Sequence, residues 1–179
     1  MIITSPDPPV RSIDDNVQLV GSVVILLRDL AGNILDAQVV RNIVTDAGDL
    51  YYAQKVDAET PTNVFGILEL GTAGAAPGKT SNRSAISAYA AGSQKAFDTG
   101  YPKRNDTDAA NTGKAVDART YKVTYGTTEA NVASMERGII TNASPGASEP
   151  VMAYFTFAAV TKTSANTLVV YLNHTFNGT

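Results

Sequence analysis

Apolar runs and alternation divide the chain into short extended segments separated by turn residues. Leu19 to Arg28 (LVGSVVILLR) is apolar at almost every position and rich in Val and Ile, the pattern of a strand buried on both faces or near a sheet centre. Asp29, Leu30, Ala31, Gly32 and Asn33 supply turn chemistry, and Ile34 to Arg41 (ILDAQVVR) reads as the return strand, so residues 19–41 predict a hairpin. Thr45 or Asp46 can cap a helix with acidic residues in its first turn. Val44, Ala47, Leu50 and Tyr51 fall at helical spacing, which predicts a short helix laid on the sheet, with Gly48 speaking against it. Val64 to Leu70 (VFGILEL) is a second buried strand closed by Gly71, and Arg119 to Tyr125 (RTYKVTY) alternates well. Asn131 to Thr141 predicts a strand pair or one strand with a bulge at Gly138. Met152 to Thr161 and Thr167 to Phe176 are strands joined by the polar loop Lys162 to Asn166.

These segments sum to seven or eight strands with one or two short helices, and no period of 20–50 residues recurs. The expected fold is mainly β: an antiparallel β-sandwich or jelly-roll-like domain over residues 19–179. An extended arm, residues 1–18, precedes it, because Pro6, Pro8 and Pro9 interrupt helix and ladder while Asp7, Asp14 and Asp15 add charge. From Thr72 to about Asp117 the chain is mostly Ala, Gly, Ser, Thr, Asn and Asp, interrupted by Ile86 to Phe97. This predicts a long polar loop region outside the core, with an exposed tip around Tyr101 to Asp106.

Composition narrows the chemistry. The 179 residues carry 14 Lys+Arg against 17 Asp+Glu, a net charge of −3, which argues against affinity resting on phosphate neutralisation. Cysteine is absent, so disulfides, thiolate metal sites and Cys nucleophiles are excluded. One histidine excludes a multi-His metal site within the chain. No apolar run approaches the roughly 20 residues that span a bilayer, and the opening MIITSPDPP does not read as a secretory signal. The reading is of a non-enzyme without cofactor or metal that binds neither nucleic acid nor membrane.

Several motifs compete with that reading. Ala73 to Thr80 (AGAAPGKT) meets a relaxed Walker A pattern, but a phosphate loop needs a helix starting at the Lys, and Ser81-Asn82-Arg83-Ser84 are weak helix formers. His174, between Asn173 and Thr175, reads as a strand-surface histidine. Glu69 and Glu136 form a carboxylate pair only in principle, and read more simply as solvent-facing strand residues or subunit-contact charges. Asp106 and Asp108 beside Asn105 suggest oxygen ligands for a weakly held cation, without EF-hand spacing. Five Asn-x-Ser/Thr triplets, at Asn82, Asn105, Asn142, Asn173 and Asn177, read as a by-product of a Thr/Asn-rich β surface.

Three pieces, in order, resemble the virion structural proteins of tailed bacteriophages: Arg41-Asn42-Ile43-Val44-Thr45-Asp46-Ala47-Gly48, Leu70-Gly71-Thr72, and Met135-Glu136-Arg137-Gly138-Ile139-Ile140-Thr141-Asn142. The pair Met152 to Thr161 and Leu168 to Phe176 resembles that family's closing hairpin, while Ala73 stands where its members usually have glycine. The resemblance implies no catalytic residues. It implies a capsid cement (head decoration) protein, a homotrimer on the exterior of the virion, made in the bacterial cytoplasm, whose partners are the major capsid protein and itself. The alternative is a tail-associated adaptor or short fibre/baseplate protein binding a host-recognition partner or a glycan. Thr4, Pro6, Pro8, Pro9 and Val10 of the arm are expected at the shell or neighbour contact, with Tyr101 and Arg104 as a second contact. For glycan binding, Tyr89, Phe97 and Tyr101 are the stacking candidates.

Overall fold

The computed structural model describes residues 18–115, 117–142 and 148–177. The interface residues expected in the arm, Thr4, Pro6, Pro8, Pro9 and Val10, lie outside the described residues. Strands β1 (Gln18–Asp29) and β2 (Ile34–Val44) form the predicted hairpin. Its turn is closed by Asp29, whose carboxylate accepts from the Asn33 backbone N–H and side-chain amide, both at 2.8 Å, while Gly32 takes a φ of +89°. Helix α1 (Asp46–Val56) follows, then β3 (Phe65–Gly74), β4 (Ile86–Tyr89), β5 (Lys95–Ala96), β6 (Lys103–Arg104), β7 (Arg119–Tyr125), β8 (Met135–Asn142), β9 (Val151–Val160) and β10 (Asn166–Asn177). A single 3-10 turn, Arg83–Ala85, precedes β4.

The ten strands make one antiparallel sheet in the order β4-β3-β8-β9-β2-β1-β10-β7-β6, with β5 also paired to β3. The mainly β, antiparallel fold expected from the sequence is therefore what forms. The sheet is sandwich-like because it bends between β2 and β9, where only Asn42–Val44 pair with Ala153–Phe155. Beyond that corner the strands part, and the Gln38 side-chain amide spans the gap, donating to Ala158 O at 3.1 Å and accepting from Ala158 N at 2.8 Å. The two ends of the sheet meet again through residues 93–98. There β5 pairs with β3, Asp98 N donates to Lys122 O of β7, and the Asp98 carboxylate takes Thr124 N and Oγ1. Tyr125 Oη closes the same seam by donating to Ser93 O at 2.7 Å.

The main core lies inside this roll and draws on both walls: Val23, Ile25, Leu172 and Tyr121 from one, Leu68, Ile140 and Phe155 from the other. The doubly buried reading of β1 is right, and its cause is the polar loop. Val24 and Leu26, facing outward, pack with Val169, Tyr171 and Ala110 beneath residues 106–115. On the opposite wall, residues 75–89 lie over β8 and β9 and bury Ile139, Val151 and Tyr154 against Ile86.

The region 72–117 is thus corrected from loop outside the core to loop that completes it. It contains three short strands, and Ile86, Ala90, Ser93, Asp106 and Asn111 within it are buried. Polar side chains are buried here because each finds partners: Asn111 and Asn173 exchange amide hydrogen bonds at 2.8 and 3.0 Å. Gly138 is no bulge; it pairs in register with Phe155, and the irregularities of β8 fall on either side of it.

Candidate functional site

One end of the roll is covered by α1 and carries an open cavity. Thr45 caps the helix, its Oγ1 accepting from Gly48 N at 3.2 Å and donating to Val151 O. Gly48 does not weaken the helix but seats it: a Cβ there would collide with Met152 O of β9. That close approach turns the next residue on the same face, Tyr52, into the core, while Leu50, expected in the buried stripe, is 49% exposed.

Tyr52 ends in a buried polar chain. Its hydroxyl lies 2.9 Å from Tyr121 Oη on β7 and 2.6 Å from His174 Nδ1 on β10, and His174 Nε2 lies 2.8 Å from Asn42 Nδ2 on β2. With Asn42 donating to Nε2, the neutral ring carries its proton on Nδ1 and gives it to Tyr52, which donates onward to Tyr121. His174 is therefore corrected from a surface to a fully buried residue, and burial pushes its pKa down to about 3. Burial likewise holds Tyr52 far above the usual phenol range, and pushes Tyr121 up to about 12. The chain thereby ties α1 to β2, β7 and β10 through hydrogen bonds among neutral groups.

Outside this lock the site is open and cationic. Tyr51, Tyr52, Lys55 and Val56 of α1, Arg119 of β7 and Phe176 of β10 line a cavity of about 420 Å³. Arg119 and Phe176 also line an adjoining hollow of about 360 Å³ with Arg104 and Asp117. Seven described lysines and arginines pair with carboxylates, whereas Lys55 and Arg119 have no such partner among the described residues. Two unpaired cations among aromatic rings make a surface that can receive a carboxylate attached to an apolar body.

The residues singled out in the sequence are dispersed. Lys79 pairs with Asp49 on the surface of α1, and Thr80 leads into the 3-10 turn capped by Asn82, so no α-helix starts at the Lys; the N-terminus of α1 that does lie against this loop gives Asp46 N to the Lys79 carbonyl at 2.9 Å. Glu69 and Glu136 do not form a pair with each other: Glu69 is buried under a two-bond contact from Arg83, both 2.9 Å, and Glu136 contacts Arg137. The solvent-facing reading of Glu69 is thereby corrected.

Asp106 and Asp108 are already saturated. Burial alone would raise the Asp106 carboxyl, but donors from Lys103, Asn111, Asp108 N and Tyr101 bring it down to about 2. The Tyr171 hydroxyl and then Ala110 N and Lys122 hold Asp108 below the usual carboxylate range. Among the described residues no group of three or more His, Asp or Glu is placed to hold a metal ion.

The expected exposed tip is corrected in the same way. Asp106 is buried, Tyr101 is half-buried with its hydroxyl on Asp106 at 3.0 Å, and only Asn105 and Arg104, the latter paired with Asp117 at 2.6 Å, stand out in solvent. Tyr89, Phe97 and Tyr101 do not share a surface. Tyr89 packs with the outer cluster and under Arg83, Phe97 packs on Tyr121, and Tyr101 lies beneath Lys103. Asn173 of the Asn-x-Thr triplets is buried, and Asn82 serves as a cap.

Sequence reasoning missed Tyr52, Lys55 and Arg119. The available signal was Gly48, which marks the helix face that approaches the sheet, with Tyr52 one turn on. No protein family, curated protein or solved structure matches the chain in comparison.

Proposed function

We propose that this protein is a structural component of a tailed-phage virion: a capsid cement protein that, as a homotrimer, binds and stabilises the mature major-capsid lattice. The observation that carries the reading is the contrast between a cross-linked interior and an apolar outer hairpin. Tyr52 is bonded to His174 and Asn111 to Asn173 inside the roll, and its two outer covers are pinned by hydrogen bonds and ion pairs. Yet Leu30, Ile34, Leu35 and Val39 on the β1–β2 hairpin are 54–68% exposed. An apolar patch on a rigid body supports a docking surface, here for the capsid lattice or a neighbouring subunit.

A protein that binds only the expanded shell stabilises that state by mass action, with no chemistry required of it. The resemblance of residues 41–48, 70–72 and 135–142 to phage virion proteins supports a phage capsid as that lattice.

The test is light scattering followed by co-sedimentation with empty, expanded phage heads. A trimer that saturates expanded heads and ignores unexpanded ones is expected. Binding to tails or to the host-cell surface instead would replace this reading with the tail-adaptor one, and a monomer that binds neither would overturn both.

A further inference from the structure

We propose that the open edge of β2, residues Leu35 to Val39, pairs antiparallel with the same edge of a second copy of this chain, about a two-fold axis through Ala37. The proposal goes beyond the cement reading and does not rest on it.

The edge is long and unguarded. β2 is laddered to β1 from Ile34 to Asn42, whereas on its other side only Asn42–Val44 pair with β9. Ile34 to Arg41 is therefore the longest run of strand among the described residues with no strand on one side. The terminal strands of the sheet, β4 and β6, have only four and two residues, and β6 is Lys103–Arg104. The facing rim of the seam is not equivalent, because the Gln38 side-chain amide already takes both backbone groups of Ala158, as a neighbouring strand does. Exposed edges are commonly guarded by proline or lysine. Ile34 to Val40 contains neither, and its one charge, Asp36, is half-buried and accepts from the Gln38 amide at 2.9 Å.

The same residues are complementary to themselves. Turned about Ala37, Leu35 lies opposite Val39 of the second copy, Asp36 opposite Gln38, and Ala37 opposite its counterpart. Apolar side chains thus meet apolar ones, an acid meets an amide, and the smallest side chain sits on the axis. Neighbouring registers are worse. An axis at Asp36 sets two carboxylates opposite each other, and one at Gln38 sets Leu35 against Arg41. The irregularity of the β1–β2 ladder falls at Leu35, which ends the pairing there.

Pairing makes one continuous sheet from two copies. Val39 stands opposite Val24, which faces outward, and alternation puts Ala37 and Leu35 on that side too. Leu35 and Val39, 55% and 59% exposed, then lie beside their counterparts, so pairing enlarges the apolar face instead of consuming it. A strand pair this short is a small interface, so it joins copies already crowded together and does not set the oligomer in dilute solution. A trimer built through another surface is left intact.

Because the chain has no cysteine, single thiols report the contact. Full-length Ala37→Cys is oxidised in concentrated solution beside Val64→Cys, a 72% exposed position before β3 that serves as the collision control. Opposite residues of an antiparallel pair have Cα atoms about 4.5 or 5.5 Å apart, and a disulfide bridges either distance. Ala37→Cys is expected to form disulfide dimers at least tenfold faster than the control. Adding Leu35→Lys is expected to remove that advantage, with circular dichroism confirming that the fold persists. Register is read separately, by oxidising Leu35→Cys and Val39→Cys each alone and as an equal mixture. Two Leu35 positions lie about 13 Å apart along the paired strands, so the mixed disulfide is expected to dominate over both like pairs. That mixture carries the test should the Ala37 variant misfold. Equal rates for Ala37→Cys and the control, an advantage indifferent to Leu35→Lys, or like pairs forming as readily as the mixed one would each overturn the proposal. The readout is a bond between copies of the purified chain, so it succeeds or fails independently of binding to phage heads.

Discussion

Tyr52 on α1 and His174 on β10, 122 residues apart in sequence, meet with the tyrosine oxygen 2.6 Å from Nδ1. The contact ties the only α-helix of the described structure to the centre of the sheet, and it does so with the only histidine of the chain. A buried imidazole in this position is satisfied only while neutral, since Asn42 donates to its other nitrogen.

Stability should therefore fall in mild acid. Folded His174 stays neutral down to about pH 3, whereas in the unfolded chain it titrates near 6.5. Below 6.5 the unfolded state takes up a proton that the folded state refuses, so stability drops by about 1.4 kcal/mol per pH unit, or roughly 2 kcal/mol between pH 7 and 5. Asp106 works in a lower window. Its folded pKa of about 2 contributes stability above the unfolded value of 3.8, and that contribution is lost only as pH falls further. Urea midpoints of wild type at pH 7, 6 and 5 should decline, and those of His174→Gln, lower throughout, should stay nearly flat. An equal slope in both proteins would show that another group is responsible.

Gly48→Ala should destabilise, against the usual trend. In an exposed helix interior this change gains about 1 kcal/mol. Here the new methyl would run into Met152 O and crowd Val44 Cγ1 at 2.8 Å, so the helix must lift from β9. A loss of about 2 kcal/mol is expected by the scale of overpacked sites. Thermal unfolding decides the sign, and a raised midpoint would refute the close seating of α1.

The cover formed by residues 106–115 should depend on one carboxylate. Asp106→Ala removes the acceptor shared by Lys103, Tyr101, Asn111 and Asp108 N. The expected cost is about 2–3 kcal/mol, since buried donors are left unpaired. Trypsin reads it locally: Lys103, Arg104 and Lys114 should resist cleavage in wild type and become early sites in the variant. Unchanged digestion would mean that Asp108, through Tyr171 and Lys122, holds the cover alone.

The outer hairpin should be dispensable for folding and needed for docking. Leu35→Lys changes a residue that is 55% exposed and occupies the irregular position of β2. Stability should move by less than about 0.5 kcal/mol, as surface changes do. Co-sedimentation with expanded heads should weaken at least tenfold. Full binding by a folded Leu35→Lys protein would move the contact elsewhere on the domain.

What the sequence discloses here is local. The hairpin of β1 and β2, the Thr45 cap and the closing strands are written in runs of Val and Ile and in turn residues that act within a few positions. What it conceals depends on distant partners. Asn111 and His174 are polar and read as surface, yet both are buried because Asn173, Tyr52 and Asn42 arrive from elsewhere in the chain. The two-residue strands β5 and β6 carry no periodicity at all, and form only where β3 and β7 offer free edges. The cationic cavity is hidden for the same reason, since Lys55 and Arg119 come from different elements, 64 positions apart, and neither stands in a motif.

The pairing of Gln18 with Asn177 has a mechanical consequence. The two strands that carry these residues run antiparallel and side by side, so tension applied at that corner loads the ladder one hydrogen bond at a time, like a zipper. Tension along β1 and against β10 would instead load the whole ladder at once. Such a domain bears force well when it is gripped by its faces and poorly when it is pulled by these two strand ends. A lattice that swells under internal pressure would profit from holding it by the hairpin and the covers, and leaving that corner slack.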